Sequence, residues 1–419
     1  MTKKSNTILV LGGDGYFGWN LGLALAHRTN SNVVLLDSLI KRHWEREVGA
    51  KTLLPIKTPE ARIKSYKKIF GKNNLRFEKL NLLNYSDTVL TIKKYSPHII
   101  INAAQQPSAP FSMTSPQHSA ETFYNNVVGH LNALWAIAEV DKNISYIKLG
   151  STGCYAGIDT DLLPLNKVDL KFRRGKKVGT ILKSWAPMYA TDFYHQSKIS
   201  DFLASELAAD VWDMRVATVQ QSTIFGANIS ENLPVENHSL SGRFNYDAVF
   251  GTVINRFICQ VAVGEPITVY GDGEQKTGLI SLPDTIENFV NLTETNIARG
   301  EHEIIHNYTT RMSINEVTVL VSSLSSKSEI NYIKNPRKEK AGSLERTTEI
   351  HPAVANSHKN KTKKIKKEIS LLFDFAKMYK NNIDKSLILP KVLWQKEEKQ
   401  IPWQNHKTKF SSTTPQWGL

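Results

Sequence analysis

Ile8-Leu9-Val10-Leu11-Gly12-Gly13-Asp14-Gly15-Tyr16-Phe17-Gly18 is the stretch that decides the fold. A short apolar run of strand length breaks into glycines at 12, 15 and 18 and then into the helical pattern Leu21, Leu23, Ala24, Leu25, which predicts strand, tight turn and helix. Such a turn lets the backbone approach a pyrophosphate closely, with free N–H groups and the positive end of the helix dipole facing its charge. Asp37 closes a second apolar run, Val33-Val34-Leu35-Leu36, 19 positions after Gly18. A carboxylate at that strand tip accepts hydrogen bonds from an adenosine ribose and repels a 2′-phosphate, so NAD is expected rather than NADP. Lys41 and Arg42 add positive charge beside it.

Outward from this unit, apolar strands alternate with helical segments. Leu75–Leu80 reads as a third strand ending at Asn81-Leu82, over the expected adenine. His98–Ala104 is a fourth, apolar strand whose small residues, Ala103 among them, let the backbone pass close to a cofactor. The loop Gln105–Met113 follows at its carboxyl end, where open α/β sheets bind ligands. Residues 121–138 have helical spacing interrupted by Asn125, Asn126 and Gly129, and buried asparagines there require partners. Tyr146–Leu149 is a fifth strand, followed by Gly150-Ser151-Thr152, and Arg215–Val219 a sixth. The alternation predicts an α/β fold, a doubly wound parallel sheet. Beyond it, residues 226–246 read as loop, 248–263 as helix and 266–270 as a short strand, the mark of a smaller C-terminal lobe. The expected division is 1–220 for the dinucleotide domain, 221–400 mainly for the substrate lobe and 401–419 for a polar tail.

Two distant cysteines, Cys154 and Cys259, exclude a disulfide framework, and no C-x-x-C or His cluster suggests a metal. The chain begins with a short polar lead, without an apolar signal region, and no apolar run approaches the roughly 20 residues of a bilayer span. A cytoplasmic address and no membrane partner are expected. The net charge of +14 is concentrated at the end: residues 327–419 hold 20 Lys plus Arg against 9 Asp plus Glu. The densest run, 359–367, lacks the interleaved aromatics that base stacking needs and reads as a solvated face rather than a nucleic-acid site.

Tyr194 and Lys198 are four apart, hence on one face of a predicted helix. A lysine ammonium near a phenol stabilises the phenolate and lowers its pKa, so Tyr194 is expected to take a proton from a sugar or alcohol hydroxyl while Ser151 holds the same oxygen. These residues carry a resemblance. With Gly12–Trp19, Ser108–Met113, Asn125–Gly129, Phe193–Lys198, Tyr246–Thr252, Asn255–Phe257, Thr268–Gly271 and Asn335–Arg337, the chain resembles the extended short-chain dehydrogenase/reductase family of nucleotide-sugar epimerases and dehydratases over nearly its whole length. The resemblance implies a Rossmann sheet with a C-terminal substrate-binding lobe, and a homodimer built through helices.

It also implies roles. Gly12, Gly15, Tyr16, Phe17, Gly18, Asp37, Ser38, Arg42, Asn81, Leu82, Ala103, Tyr194, Lys198 and Gln221 form the expected cofactor set. Gln106, Ser151, Thr152, His195, Gln221, Arg256, Thr268, Val269, Tyr270 and Arg337 form the expected substrate set, with Arg337 neutralising UDP phosphates and 268–270 bordering the uracil. His195 is placed to aid proton transfer. One branch of the family oxidises C4 of UDP-glucose, loses water from C6, adds sulfite there and returns hydride to C4. Against that branch this chain has Cys154 for a Glu, Pro107 for an Arg, Thr277 and Ser281 for an Arg and an Asp, and Asn81 for an Asp, and Thr152-Gly153 replaces the Asp-Glu pair of other dehydratases. Two alternatives therefore stand beside sulfite addition: a divergent member acting as a 4-epimerase or adding another nucleophile, and a non-catalytic dinucleotide-binding protein.

Overall fold

The computed structural model describes residues 6–154, 166–175, 177–186, 188–232, 238–335 and 361–389; the expected tail 401–419 lies outside these residues. Its first strands are β1 (Thr7–Leu11), β2 (Asn32–Asp37), β3 (Leu75–Lys79), β4 (Ile99–Asn102), β5 (Ser145–Leu149), β6 (Asn166–Arg174) and β7 (Lys177–Ala186). There follow β8 (Arg215–Gln221), β9 (Thr223–Phe225), β10 (Ile267–Tyr270), β11 (Lys276–Ser281), β12 (His302–Asn307), β13 (Thr310–Ser313) and β14 (Ile330–Ile333).

Seven strands make one parallel sheet in the order β12-β8-β5-β4-β1-β2-β3. Helices cover both faces, which is why β1, β2 and β4 are nearly continuous apolar runs rather than alternating ones. One face packs against the helices Tyr16–Arg28 and Leu282–Leu292, where Phe17 meets Phe289 edge-on at 4.7 Å between ring centroids. The other packs against Tyr85–Tyr95, Gly129–Val140 and Phe193–Trp212. Each large apolar side chain buried in these layers contributes about 2 kcal/mol of transfer free energy. Helix starts are fixed by side chains that accept from the first turn: Thr58, Asn84, Ser115, Asp192, Ser281 and Ser313. Ser281, read in the sequence as a departure from its relatives, is thus a helix cap.

β1 lies between β2 and β4, so the chain leaves the sheet in opposite directions on either side of it, and a crevice opens at the carboxyl ends. Gly12 closes the turn there at φ +85°, and a Cβ on it would come within 2.7 Å of the Ala103 carbonyl carbon and the Ala104 nitrogen. A Cβ on Gly18 would lie 2.1 Å from the Gly12 oxygen. Behind the turn, the buried Asp14 carboxylate accepts from three guanidinium groups, those of Arg42, Arg62 and Arg243, tying the glycine turn to three other segments.

Several details differ from the sequence expectation. The expected single helix over 121–138 is Pro116–Phe123, a π-helical turn Tyr124–Val128, and Gly129–Val140. The wide turn turns Asn126 inward, where it donates to Ser197 Oγ (2.9 Å) and the Gln106 carbonyl (3.1 Å) and accepts from Gln106 N–H (2.6 Å). The expected helix 248–263 is shorter, Val253–Ala262. The seventh strand, β12, returns to the main sheet from beyond residue 300; its apolar core of Ile304-Ile305 is too short to read as a strand by pattern. The lobe comprises the β9/β11/β13 sheet, the β10/β14 pair and a core that includes Phe225, Phe257, Val269 and Leu279. Most of the basic run belongs to the helix Lys361–Met378, which buries Ile365, Ile369, Leu372 and Ala376 in that core and exposes Lys363, Lys366 and Lys367.

Candidate active site

At the carboxyl ends of the strands, between sheet and lobe, lies a cavity of about 530 Å³. The glycine turn (Gly12, Gly15, Tyr16, Phe17, Gly18), Asp37, Ser38, Asn81, Leu82 and Ala103 line it, as expected. So do Ser151, Thr152, Tyr194, His195, Gln221, Arg256 and Tyr270. Asp37 accepts from the Asp14 N–H (2.9 Å) and the Leu39 N–H (2.6 Å). A carboxylate offers about four lone-pair sites, so acceptors remain for ribose hydroxyls. Burial, then the charge of Asp14, holds its pKa above the ordinary value, and those N–H bonds oppose the rise. With glycines where any Cβ would fill the turn, this half of the cavity fits a dinucleotide.

The helix Phe193–Trp212 supplies the chemistry. Tyr194 and Lys198 sit one turn apart on its buried face, and Ser151 follows β5. The Ser151 N–H donates to Gln220 Oε1 (3.1 Å) and its hydroxyl accepts from the Gly153 N–H (3.0 Å), and Ser151 and Tyr194 line the same cavity. Lys198 is not spent on the phenol: its Nζ donates to Gln105 Oε1 (2.6 Å), the Leu149 carbonyl (2.8 Å) and Asp201 Oδ2 (3.2 Å). The expected lowering of the Tyr194 pKa is therefore not found. Burial pushes the phenol above its ordinary value, and the Ser151 side chain opposes the rise. The phenol keeps its proton in this state.

Asp192 caps this helix by accepting from the His195 N–H (2.9 Å), and its other oxygen meets His195 Nδ1 at 2.6 Å. The imidazole is thus oriented into the cavity beside Tyr194, with ring centroids 4.9 Å apart. It closes over Gly153, where a Cβ would lie 2.0 Å from the ring. Cys154, in the position of a relative's Glu, is buried, and burial pushes its thiol up to about 12; it cannot replace a carboxylate as an acid or base.

Three buried carboxylates share one electrostatic history. Burial would raise Asp14, Asp192 and Asp201, but hydrogen bonds and charges from Arg42, Arg243 and Arg62, from His195, and from Lys148 and Lys198 respectively outweigh it and hold each below the ordinary value. A depressed carboxylate contributes stability above its unfolded pKa of about 4 and loses it as pH falls through the folded value. Urea midpoints are accordingly expected to be flat from neutral pH down to about pH 5 and to drop steeply below about pH 4.

Other expected residues lie elsewhere. Arg42 is held by Asp14 at 2.8 and 2.9 Å and does not line the cavity, because that buried carboxylate outcompetes an exposed ribose for its fork. Lys41 does line it, with its ammonium 3.4 Å above the Phe250 ring, and burial pulls its pKa down to about 7. Gln106 is fully buried and its amide serves the loop, donating to the Ser108 carbonyl and Thr122 Oγ1 at 2.9 Å each. Its neighbour Gln105 reaches the cavity instead. Of 268–270 only Tyr270 lines the cavity, since Thr268 is tied to Gln260 and Val269 faces the lobe core. Arg256 donates to the Tyr270 hydroxyl at 2.8 Å. Arg337 lies outside the described residues.

Comparison with known proteins agrees with this geometry. The profile of the "NAD dependent epimerase/dehydratase family" matches residues 8–305. The chain is 31% identical over 406 residues to "UDP-sulfoquinovose synthase, chloroplastic" of Spinacia oleracea, covering 94% of this chain and 80% of the spinach protein. It is 30% identical over 400 residues to UDP-sulfoquinovose synthase of Sulfolobus acidocaldarius, covering 93% and 98%. Among solved structures, UDP-glucuronic acid 4-epimerase of Bacillus cereus, in complex with UDP-glucuronic acid and NAD, superposes with a TM-score of 0.61 at 18% identity, over 89% of this chain and 99% of that one. UDP-glucose 4-epimerase of Thermus thermophilus, in complex with NAD, gives 0.57 at 17% identity, over 88% and 98%. At such identities the structural matches establish the fold.

Proposed function

The chain belongs to the NAD-dependent epimerase/dehydratase family and is an NAD-using nucleotide-sugar enzyme, and from that premise we propose that it oxidises C4 of a UDP-hexose, UDP-glucose first, to a 4-keto sugar. Ser151, Tyr194 and His195 lining one cavity with the glycine turn and with Arg256 and Tyr270 of the lobe is the observation that carries this reading. Bound NAD supplies the hydride acceptor, held by Gly12–Gly18, Asp37, Ser38, Asn81, Leu82 and Ala103. Ser151 would hold the C4 oxygen, the positive charge of Lys198 favours the Tyr194 phenolate, and that phenolate takes the hydroxyl proton and becomes the neutral phenol. When the ketone is reduced, Tyr194 returns that proton to the C4 oxygen.

The 4-ketone acidifies the C5 hydrogen and permits loss of water from C6. His195, oriented by Asp192, is the base nearest Tyr194 for that step, and sulfite adds to the unsaturated carbon. Two curated relatives named UDP-sulfoquinovose synthase support this outcome. Pro107 and the inert Cys154, in place of an Arg and a Glu, favour a second reading in which the ketone is reduced from either face, giving a 4-epimerase. Product analysis separates them: a sulfonated sugar nucleotide from UDP-glucose and sulfite supports the first, and UDP-galactose formed without sulfite supports the second. The third possibility, a non-catalytic dinucleotide-binding protein, does not survive the family assignment.

We further propose that the enzyme is a cytoplasmic homodimer. Free, buried Cys154 and Cys259 suit a reducing compartment. Leu203, Leu207 and Val211 recur at four-residue spacing, all exposed, on Phe193–Trp212, and Leu131 and Trp135 are exposed on the packed helix Gly129–Val140. Pairing this face with its copy buries it. L207E or V211K is expected to convert the dimer to a monomer in light scattering; unchanged mass would count against this interface.

A further inference from the structure

The functional reading leaves one group of buried charges unused. Lys148 on β5 and Lys198 on Phe193–Trp212 approach the same oxygen, Asp201 Oδ2, at 3.1 and 3.2 Å. All three side chains are buried. Around them lie the neutral groups Tyr146 and His130: His130 Nδ1 meets the Tyr146 hydroxyl at 2.8 Å, and its Nε2 meets the Asp201 carbonyl at 3.0 Å. Burial pulls His130 down to about 3, so its ring is neutral, and raises Cys154 and Tyr194, which are neutral as the protonated thiol and phenol. Burial also pulls Lys148 down to about 8, so at neutral pH it is still an ammonium. Two ammoniums thus face one carboxylate.

Each incompletely paired buried charge carries a desolvation penalty of several kcal/mol. Here Asp201 Oδ1 accepts no hydrogen bond, and Lys148 Nζ has none beyond its ion pair. Lys148 stands among Tyr146, Ile147 and Leu149, the other buried residues of its strand, where an apolar side chain would be cheaper to bury. Lys198, in contrast, uses all three of its N–H donors, on Gln105, Leu149 and Asp201.

We propose that Asp201 and Lys148 are positioning residues of the oxidation step: the Asp201 carboxylate locks the Lys198 ammonium in one place, one turn from Tyr194, and Lys148, by sharing that carboxylate, sets how tightly Lys198 is held. The proposal rests on the catalytic reading of Tyr194 and Lys198. It gives opposite signs for two variants. K148M leaves Asp201 to Lys198 alone and tightens the clamp. The double variant K148M/D201N keeps the net charge of the cluster, since one lysine without a carboxylate replaces two with one, but removes the clamp.

Two measurements test it. In the chain without NAD, exchange of the Lys198 ammonium protons with water, followed by NMR of labelled lysine, is expected to be slow in the wild type, as slow or slower in K148M, and about tenfold or more faster in K148M/D201N. With NAD and UDP-glucose, the double variant is expected to form reduced nicotinamide about tenfold more slowly at neutral pH, with the alkaline limb of its rate profile moved to lower pH, and K148M to move that limb the other way. Equal exchange in all three proteins, or pH profiles that coincide, overturns the clamp. If the double variant does not fold, K148M decides: faster exchange than wild type contradicts the proposal. A wild type that forms no reduced nicotinamide overturns the functional reading instead, and the exchange measurement still judges the clamp.

Discussion

Y194F is expected to lower reduced-nicotinamide formation from UDP-glucose by about a thousandfold, the scale of a positioned general base, while leaving NAD and UDP-sugar affinity within about threefold. Tyr194 lines the cavity with Ser151 and sits one turn from Lys198, so loss of its hydroxyl removes proton transfer without opening the fold; phenylalanine fills the same buried volume. Because burial holds the phenol above its ordinary pKa, the wild-type oxidation rate should rise as pH increases through the neutral range, and the variant's residual rate should not. A variant retaining a tenth of the wild-type rate would remove Tyr194 from the chemistry.

The second large effect belongs to the turn. G12A places a Cβ 2.7 Å from backbone atoms of Ala103 and Ala104, and forces an L side chain to φ +85°. Backbone atoms at the end of a buried strand cannot move aside as a flexible side chain can, so the turn opens. Strain of about 2 kcal/mol is expected to appear as a lower urea midpoint, with NAD affinity reduced about a hundredfold by calorimetry as the N–H groups lose their aim. Normal NAD binding by this variant would mean that the turn does not approach the pyrophosphate.

The parts of the fold legible in the sequence are those governed by local rules. A buried parallel strand is a continuous apolar run, and the glycine turn has few other uses, so β1, β2, β4 and the crevice beside them are directly legible. β12 is not, because its apolar core is two residues long and its partner β8 lies more than eighty residues earlier. The same division holds at the site. The cavity positions of Tyr194 and Ser151 and the one-turn offset of Lys198 from Tyr194 are legible from spacing and from a place after a strand. Asp192 could have been found as the cap three residues before His195, whereas the Lys148–Asp201 contact joins a strand and a helix that no local pattern connects. Arg42 and Gln106 were misplaced for a related reason: each has a nearer, more deeply buried partner than any ligand, and the sequence does not display that competition.

The account turns on C4 oxidation of a UDP-hexose by NAD, and isotope transfer tests it most directly. UDP-glucose carrying deuterium at C4 is mixed with the NAD-loaded protein, and the cofactor is released and analysed before turnover completes. The account predicts deuterium on the nicotinamide ring in wild type and none in Y194F. Deuterium remaining wholly on the sugar in the wild-type protein, while products form, would contradict it.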